Sequence, residues 1–154
     1  MGGFGGAMKQ LSIGCGSTKG KCYIHTAGAA DNMNDIWTHI APQQDFCDSM
    51  ADAACSVINL YKGNLAYVNV MKNISIDCDC NGHAKAPELP DMGILASLDP
   101  IAIDKACYDI IDKCNEKGRD AWIKRVTDKC GLRTLETGAK LGLGSMEYEL
   151  VNIE

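Results

Sequence analysis

Gly93-Ile94-Leu95-Ala96-Ser97-Leu98-Asp99-Pro100-Ile101-Ala102-Ile103-Asp104 is the stretch on which the fold turns. It opens as a short apolar run behind a glycine, which reads as a buried strand, and Asp99-Pro100 then dictates the start of a helix. The aspartate side chain accepts hydrogen bonds from amides of the first turn. The proline behind it gives up only an N–H that would have no intrahelical partner there. Ile103, Ala106, Cys107, Ile110, Ile111 and Cys114 recur at helical spacing and give the helix a buried face before Gly118. A strand leading straight into a capped helix marks the chain as mixed α/β.

Toward the N-terminus, residues 65–76 are rich in β-branched and aromatic side chains and predict a strand running directly into Asp77-Cys78-Asp79-Cys80. Asn81-Gly82 then opens a loop carrying Pro87 and Pro90. Further back, Cys47, Met50, Ala51, Ala54, Cys55, Ile58 and Tyr61 share one face, so the spacing predicts a helix over 45–61, closed at Gly63. Met33, Ile36, Trp37 and Ile40 predict a shorter helix over 31–40, stopped by Pro42. Residues 1–28 hold eight of the sixteen glycines and read as a loop-rich entry without a regular element. Toward the C-terminus, helices are predicted around 120–128 and 134–141, the second closed by Gly142 and Gly144. A last strand is expected over 146–153, with Glu147 and Glu149 alternating. The expected fold is a single α/β domain over residues 1–154, a small mixed sheet of three to four strands packed with helices.

Composition narrows the class of function. At 154 residues the chain has the length of one domain, and 46% hydrophobic with 23% charged residues is ordinary globular usage. No apolar run approaches the roughly 20 residues needed to span a bilayer. The opening Met1-Gly2-Gly3-Phe4-Gly5-Gly6 lacks the basic and apolar regions of a secretory signal. These features predict a soluble, cytoplasmic protein with no membrane role. The net charge is −5, and the basic clusters are only Lys19-Gly20-Lys21 and Lys124-Arg125, which argues against nucleic acid as a partner. Nine cysteines, an odd number, in a reducing compartment point to thiols or metal ligands rather than to a disulfide framework.

Chemistry concentrates in the segment 77–104, above all at Asp77-Cys78-Asp79-Cys80. In an extended conformation Cys78 and Cys80 would face one way and Asp77 and Asp79 the other. The thiolate pair would suit zinc, copper or an iron-sulfur cluster, and the carboxylate pair a hard ion. Two cysteines do not complete a tetrahedral site, so His83 nearby and Cys15, Cys22 or His25 at a distance are the candidate supplements. The competing reading is a strand end with two buried thiols and two solvated carboxylates. Among the glycines, a phosphate-binding P-loop would need glycine at Cys15 and a hydroxyl residue at Cys22, and both are absent. A backbone anion nest over Gly14, Gly16 and Ser17, with Lys21 nearby, is the cofactor-binding role left open, against a plain glycine turn. Asp99 is accounted for as a helix cap, and Asp104 by the dipole of the same helix. Cys47, Cys55, Cys107 and Cys114 read as core thiols.

Three stretches carry a resemblance to a known family. One runs from Phe4-Gly5-Gly6-Ala7-Met8-Lys9 through Ile13-Gly14-Cys15-Gly16-Ser17, with Gly20-Lys21 and His25. The second is Asn73-Ile74-Ser75-Ile76-Asp77-Cys78-Asp79-Cys80. The third runs from Ala86-Pro87-Glu88-Leu89-Pro90-Asp91 to Asp99-Pro100-Ile101-Ala102-Ile103-Asp104. Together they resemble the uncharacterised iron-sulfur-centre proteins grouped as domain of unknown function 362, and the ending Lys140-Leu141-Gly142-Leu143-Gly144 through Leu150 looks like that family's C-terminus. The resemblance implies a metal ion or iron-sulfur cluster as cofactor and a redox role. Cys78 and Cys80 would be ligands, with Asp77, Asp79 or His25 in the surrounding shells. Many members carry a ferredoxin-like insert of C-x-x-C-x-x-C-x-x-x-C-P runs between the counterparts of His25 and the 45–61 helix. This chain lacks it, so a ferredoxin-type pair of four-iron clusters is not supported. Members also look longer on the N-terminal side, which implies a C-terminal fragment, a short paralogue, or a subunit completed by another chain. The partners implied are a redox protein, a missing N-terminal subunit, or a second copy through exposed sheet edges. Two rivals stand beside this reading. One is a small-molecule enzyme with an anion on the glycine-rich loop and a divalent ion on Asp91 and Asp104. The other is a non-catalytic interaction module that docks on a redox partner.

Overall fold

The computed structural model describes residues 3–78 and 82–153. In chain order the elements are α1 (Ala7–Lys9), a π-helical turn (Gln10–Gly14), α2 (Thr18–His25), α3 (Gln43–Leu60), β1 (Tyr67–Met71), β2 (Gly93–Ser97), α4 (Pro100–Lys113), α5 (Arg119–Asp128) and α6 (Gly131–Lys140). The stretch that opened the sequence reading folds as expected. β2 spans Gly93–Ser97, and the Asp99 carboxylate accepts from Ile101 N at 2.8 Å and Ala102 N at 2.9 Å to start α4. α3 and α5 also lie where the apolar spacing places them, and α6 starts a little earlier than expected, at Gly131. Gly142, at φ +76°, closes α6, with Leu143 N donating to Gly138 O and Gly142 N to Ala139 O, both at 3.0 Å.

Four expectations need correction. Among the described residues the sheet has two strands, β1 and β2, paired antiparallel from Tyr67↔Ser97 to Met71↔Gly93, rather than a mixed set of three or four. The strand expected over 65–76 stops at Met71, because Lys72 N turns back onto Val70 O and Asn73 takes a left-handed φ of 51°. The glycine-rich entry is not a loop: it forms α1, the π turn and α2. Its glycines serve close approach, since a side chain at Gly6 would overlap the Asp104 carboxylate, while Ala7, Met8 and Leu11 enter the core. Residues 32–39 form turns instead of a helix. Asn32 Oδ1 accepts from the amides of Asn34 and Asp35, and Trp37 remains 75% exposed. The segment 146–153 likewise forms no strand within this chain.

The helices share one layer of contacts. Ala7, Met8 and Leu11 meet Ala51 and Ala54 of α3, Tyr67 of β1, Ile101 and Ile103 of α4 and Leu135 of α6. A second cluster joins Met71, Leu89, Cys107, Ile111, Trp122 and Val126. A third packs Ile24 of α2 on Phe46 and Met50 of α3. Burying these side chains supplies the main favourable free energy of the fold. No helix among the described residues is long and apolar enough to cross a membrane.

Candidate functional site

The site is assembled around the N-terminus of α1, whose free amides need acceptors. Gly6 offers no side chain for this. The acceptor comes from α4: Asp104, 1% exposed, takes Ala7 N on Oδ1 at 2.7 Å and Met8 N on Oδ2 at 2.9 Å. Asn69 of β1 donates its Nδ2 to the same Oδ1 at 2.7 Å and lies 3.5 Å from the Cys107 sulfur. Burial is the largest influence on Asp104 and raises its pKa, against three donors that pull the other way. Its oxygens are thus committed to protein donors, not held open for the divalent ion that the enzyme rival places on Asp91 and Asp104. Asp91, for its part, accepts from Asn73 N at 3.0 Å.

Capping by Asp104 aims α1 so that its last residue, Lys9, reaches the segment beyond β1. Lys9 Nζ donates to Cys78 Sγ at 2.9 Å. That segment is held from the other side by α5, where Arg125 donates to Asp77 Oδ1 at 2.6 Å, and from within by Ser75 Oγ on Asp77 O at 2.7 Å. Glu88 N and Leu89 N both donate to Ile74 O at 3.2 Å and tie its base to the 88–91 loop. Between these walls lies a cleft of about 510 Å³, lined by Phe4, Gly5, Gly6 and Lys9, by residues 68–75 along β1 and beyond, by Asp77 and Cys78, and by Cys107, Tyr108, Ile111 and Trp122. Phe4, Tyr108 and Trp122 stack at tilted angles with centroids 5.8 to 6.2 Å apart and form its aromatic side. Burial pushes the Cys107 thiol up to about 11, so it stays protonated near neutral pH.

The family described as Domain of unknown function (DUF362) matches residues 1–109. This chain belongs to that family. No curated protein and no solved structure matches it. The matched residues of this DUF362 chain include α1, β1, Cys78 and most of α4, and therefore both partners of the Lys9–Cys78 contact and the Asp104 cap. The likeness read at 140–150 lies beyond the match.

The residues singled out from sequence are distributed as follows. Asp77 and Cys78 line the cleft, while Asp79 and Cys80 lie outside the described residues. Cys15 is exposed at the end of the π turn. His25 is engaged elsewhere, with Nδ1 2.7 Å from Lys21 O and its ring stacked on Phe46 at 4.8 Å. Gly14 packs against the Gln10 side chain, Gly16 lies close to Ser12 O, and Ser17 caps α2 by accepting from Gly20 N at 3.1 Å. Gly14, Gly16, Ser17 and Lys21 do not line the cleft. Among the described residues, no three His, Cys, Asp or Glu side chains converge as a metal site. A four-iron cluster needs four ligands. Here the cleft offers Cys78, which carries an ammonium, and Cys107, a buried thiol held by Asn69, so the described donors do not fit a cluster. Sequence reading missed Lys9 and Arg125. Lys9 stands inside a stretch that carried the family resemblance, and Arg125 was visible only as half of an isolated basic pair.

Proposed function

We propose that this chain is a thiol-based redox protein whose reacting group is Cys78. The observation that carries the reading is the Lys9 ammonium 2.9 Å from the Cys78 sulfur at the wall of the large cleft. A cation in contact with sulfur favours the thiolate, the form that attacks disulfides. In the reaction proposed, the Cys78 thiolate attacks one sulfur of a substrate disulfide, releasing the other as thiolate and leaving a mixed disulfide. Cys80, two residues on in sequence, then displaces the second substrate thiolate and closes a Cys78–Cys80 disulfide. Two electrons pass to the substrate. The aromatic side of the cleft suits the apolar flank of such a substrate, and Arg125 on Asp77 keeps the segment in place. Alkylation by iodoacetamide, read peptide by peptide in the mass spectrometer, tests this. Cys78 should react fastest among the cysteines, and Lys9→Met should slow it about tenfold. Equal rates in the two proteins would refute the assignment, as would failure to form a 78–80 disulfide with an oxidised dithiol.

A second reading is favoured by the Cys78-Asp79-Cys80 sequence itself: the two cysteines and Asp79 bind a metal ion, with Lys9 displaced from the sulfur. Elemental analysis of protein purified without oxygen separates the two, because stoichiometric iron or zinc that is lost in Cys78→Ser belongs only to this second reading.

A further inference from the structure

The sheet of this chain is incomplete on one side. β1 pairs with β2 along one edge, and among the described residues no strand pairs with the other. A two-stranded sheet is marginal without further cover, and an open edge presents backbone donors and acceptors to any extended segment. The outward face here is apolar: Val68 is 62% exposed, Val70 59% and Ile94 70%. The chain also carries a segment with the pattern of a strand and no strand partner of its own. After Ser145 N bonds Asp99 Oδ2 and Tyr148 OH bonds Asp109 Oδ2, each at 2.8 Å, the backbone runs on with Leu150 58% exposed, Val151 67% and Ile153 93%. Tyr148 fixes where this projecting segment begins.

We infer that residues 149–153 of one copy add as an antiparallel third strand to the open edge of β1 in a second copy, giving a two-fold symmetric dimer. Register and charge carry the choice. With Val151 opposite Val70, an antiparallel strand sets Ile153 opposite Val68 and Glu149 opposite Lys72, so the apolar pairs share the outward face and the acid meets the base. A parallel strand in the same register would put Glu149 opposite Val68 and Ile153 opposite Lys72. Lys72 is available for the exchange, since its contact with Asp91 is long, at 4.0 Å, and both side chains are more than half exposed. The arrangement is isologous: each copy gives one tail and receives one, so the interface closes as a dimer. The inference is independent of whether Cys78 is redox-active.

Sedimentation equilibrium of the full chain, from low to high micromolar, is the test. The expected result is a dimer that becomes a monomer when the chain is ended at Tyr148, a truncation that removes exposed residues and leaves both tail anchors. Lys72→Glu and Glu149→Lys should each weaken the dimer about tenfold, because like charges directly opposite repel and symmetry counts the pair twice. The two combined should restore it. Hydrogen exchange at residues 68–72 should slow in the dimer. A monomer at every concentration would overturn the inference, including one whose own tail protects β1. So would a dimer that survives truncation, and failure of the double reversal to restore affinity would overturn the register.

Discussion

Asp104 joins three elements through one carboxylate: the amides of α1, the amide side chain of β1, and its own position in α4. Replacing it with alanine would leave two buried backbone amides and the Asn69 side chain without an acceptor, at a cost of about 3 kcal/mol or more. Asp104→Asn should recover little, because one carboxylate oxygen becomes a donor that faces an N–H. Urea midpoints of the two variants check this, with unchanged slopes expected. Gly6→Ala should cause a related loss, since its methyl would overlap the same carboxylate. The sequence reading explained Asp104 by the dipole of its own helix. The structure gives it to the amides of a helix 96 and 97 residues away, and local spacing holds no record of such a partner. Cys78 was legible because cysteine next to aspartate is a rare ligand-bearing pattern. Lys9 was not, because its meaning arises only where α1 meets the segment beyond β1.

Between elements, α3 and α6 are stapled by Asp48. Arg133 donates to its oxygens from Nε at 2.9 Å and Nη2 at 2.6 Å, and Thr137 Oγ1 adds a third contact at 2.6 Å. The Arg133 hydrogen bonds hold the Asp48 carboxyl below its usual range. A lowered value means that the folded chain binds this proton less readily than the unfolded chain. The stabilisation is therefore present above the ordinary aspartate value and is lost as pH falls through the folded one. Asp48→Asn should flatten the acid limb of stability against pH and cost roughly 1 kcal/mol at neutral pH, as the pair is partly exposed. Thermal melts across acidic buffers would show both. Elements with local punctuation were the ones legible in sequence: Asp99-Pro100 opens α4, and Gly142 closes α6. The 31–40 spacing misled because Asn32 captures the amides that would begin a helix, and the strand after Leu65 was overextended because composition does not announce the turn at Asn73.

At the scale of the whole molecule, the clusters around Ile101 and around Trp122 are linked through Phe4 and Leu95, which pack against both. Hydrogen exchange should accordingly be slowest in the middle of α3 and α4 and fast over 32–40, where turns lie on exposed side chains. Protection at 32–40 equal to that of α4 would contradict this ranking. The cleft belongs to this scale as well: its walls come from α1, β1, α4 and α5 and from the segment after β1, so no window of sequence contains it. The π turn at Gln10–Gly14 has its own consequence for heredity. Such a turn holds one residue more than an α-helical turn in the same place. Loss of a single codon there would be absorbed quietly as an ordinary helix, yet would swing everything that follows by about 100° relative to Lys9. Point substitutions across 10–14 should therefore be far better tolerated in descendants of this gene than any in-frame deletion of one residue.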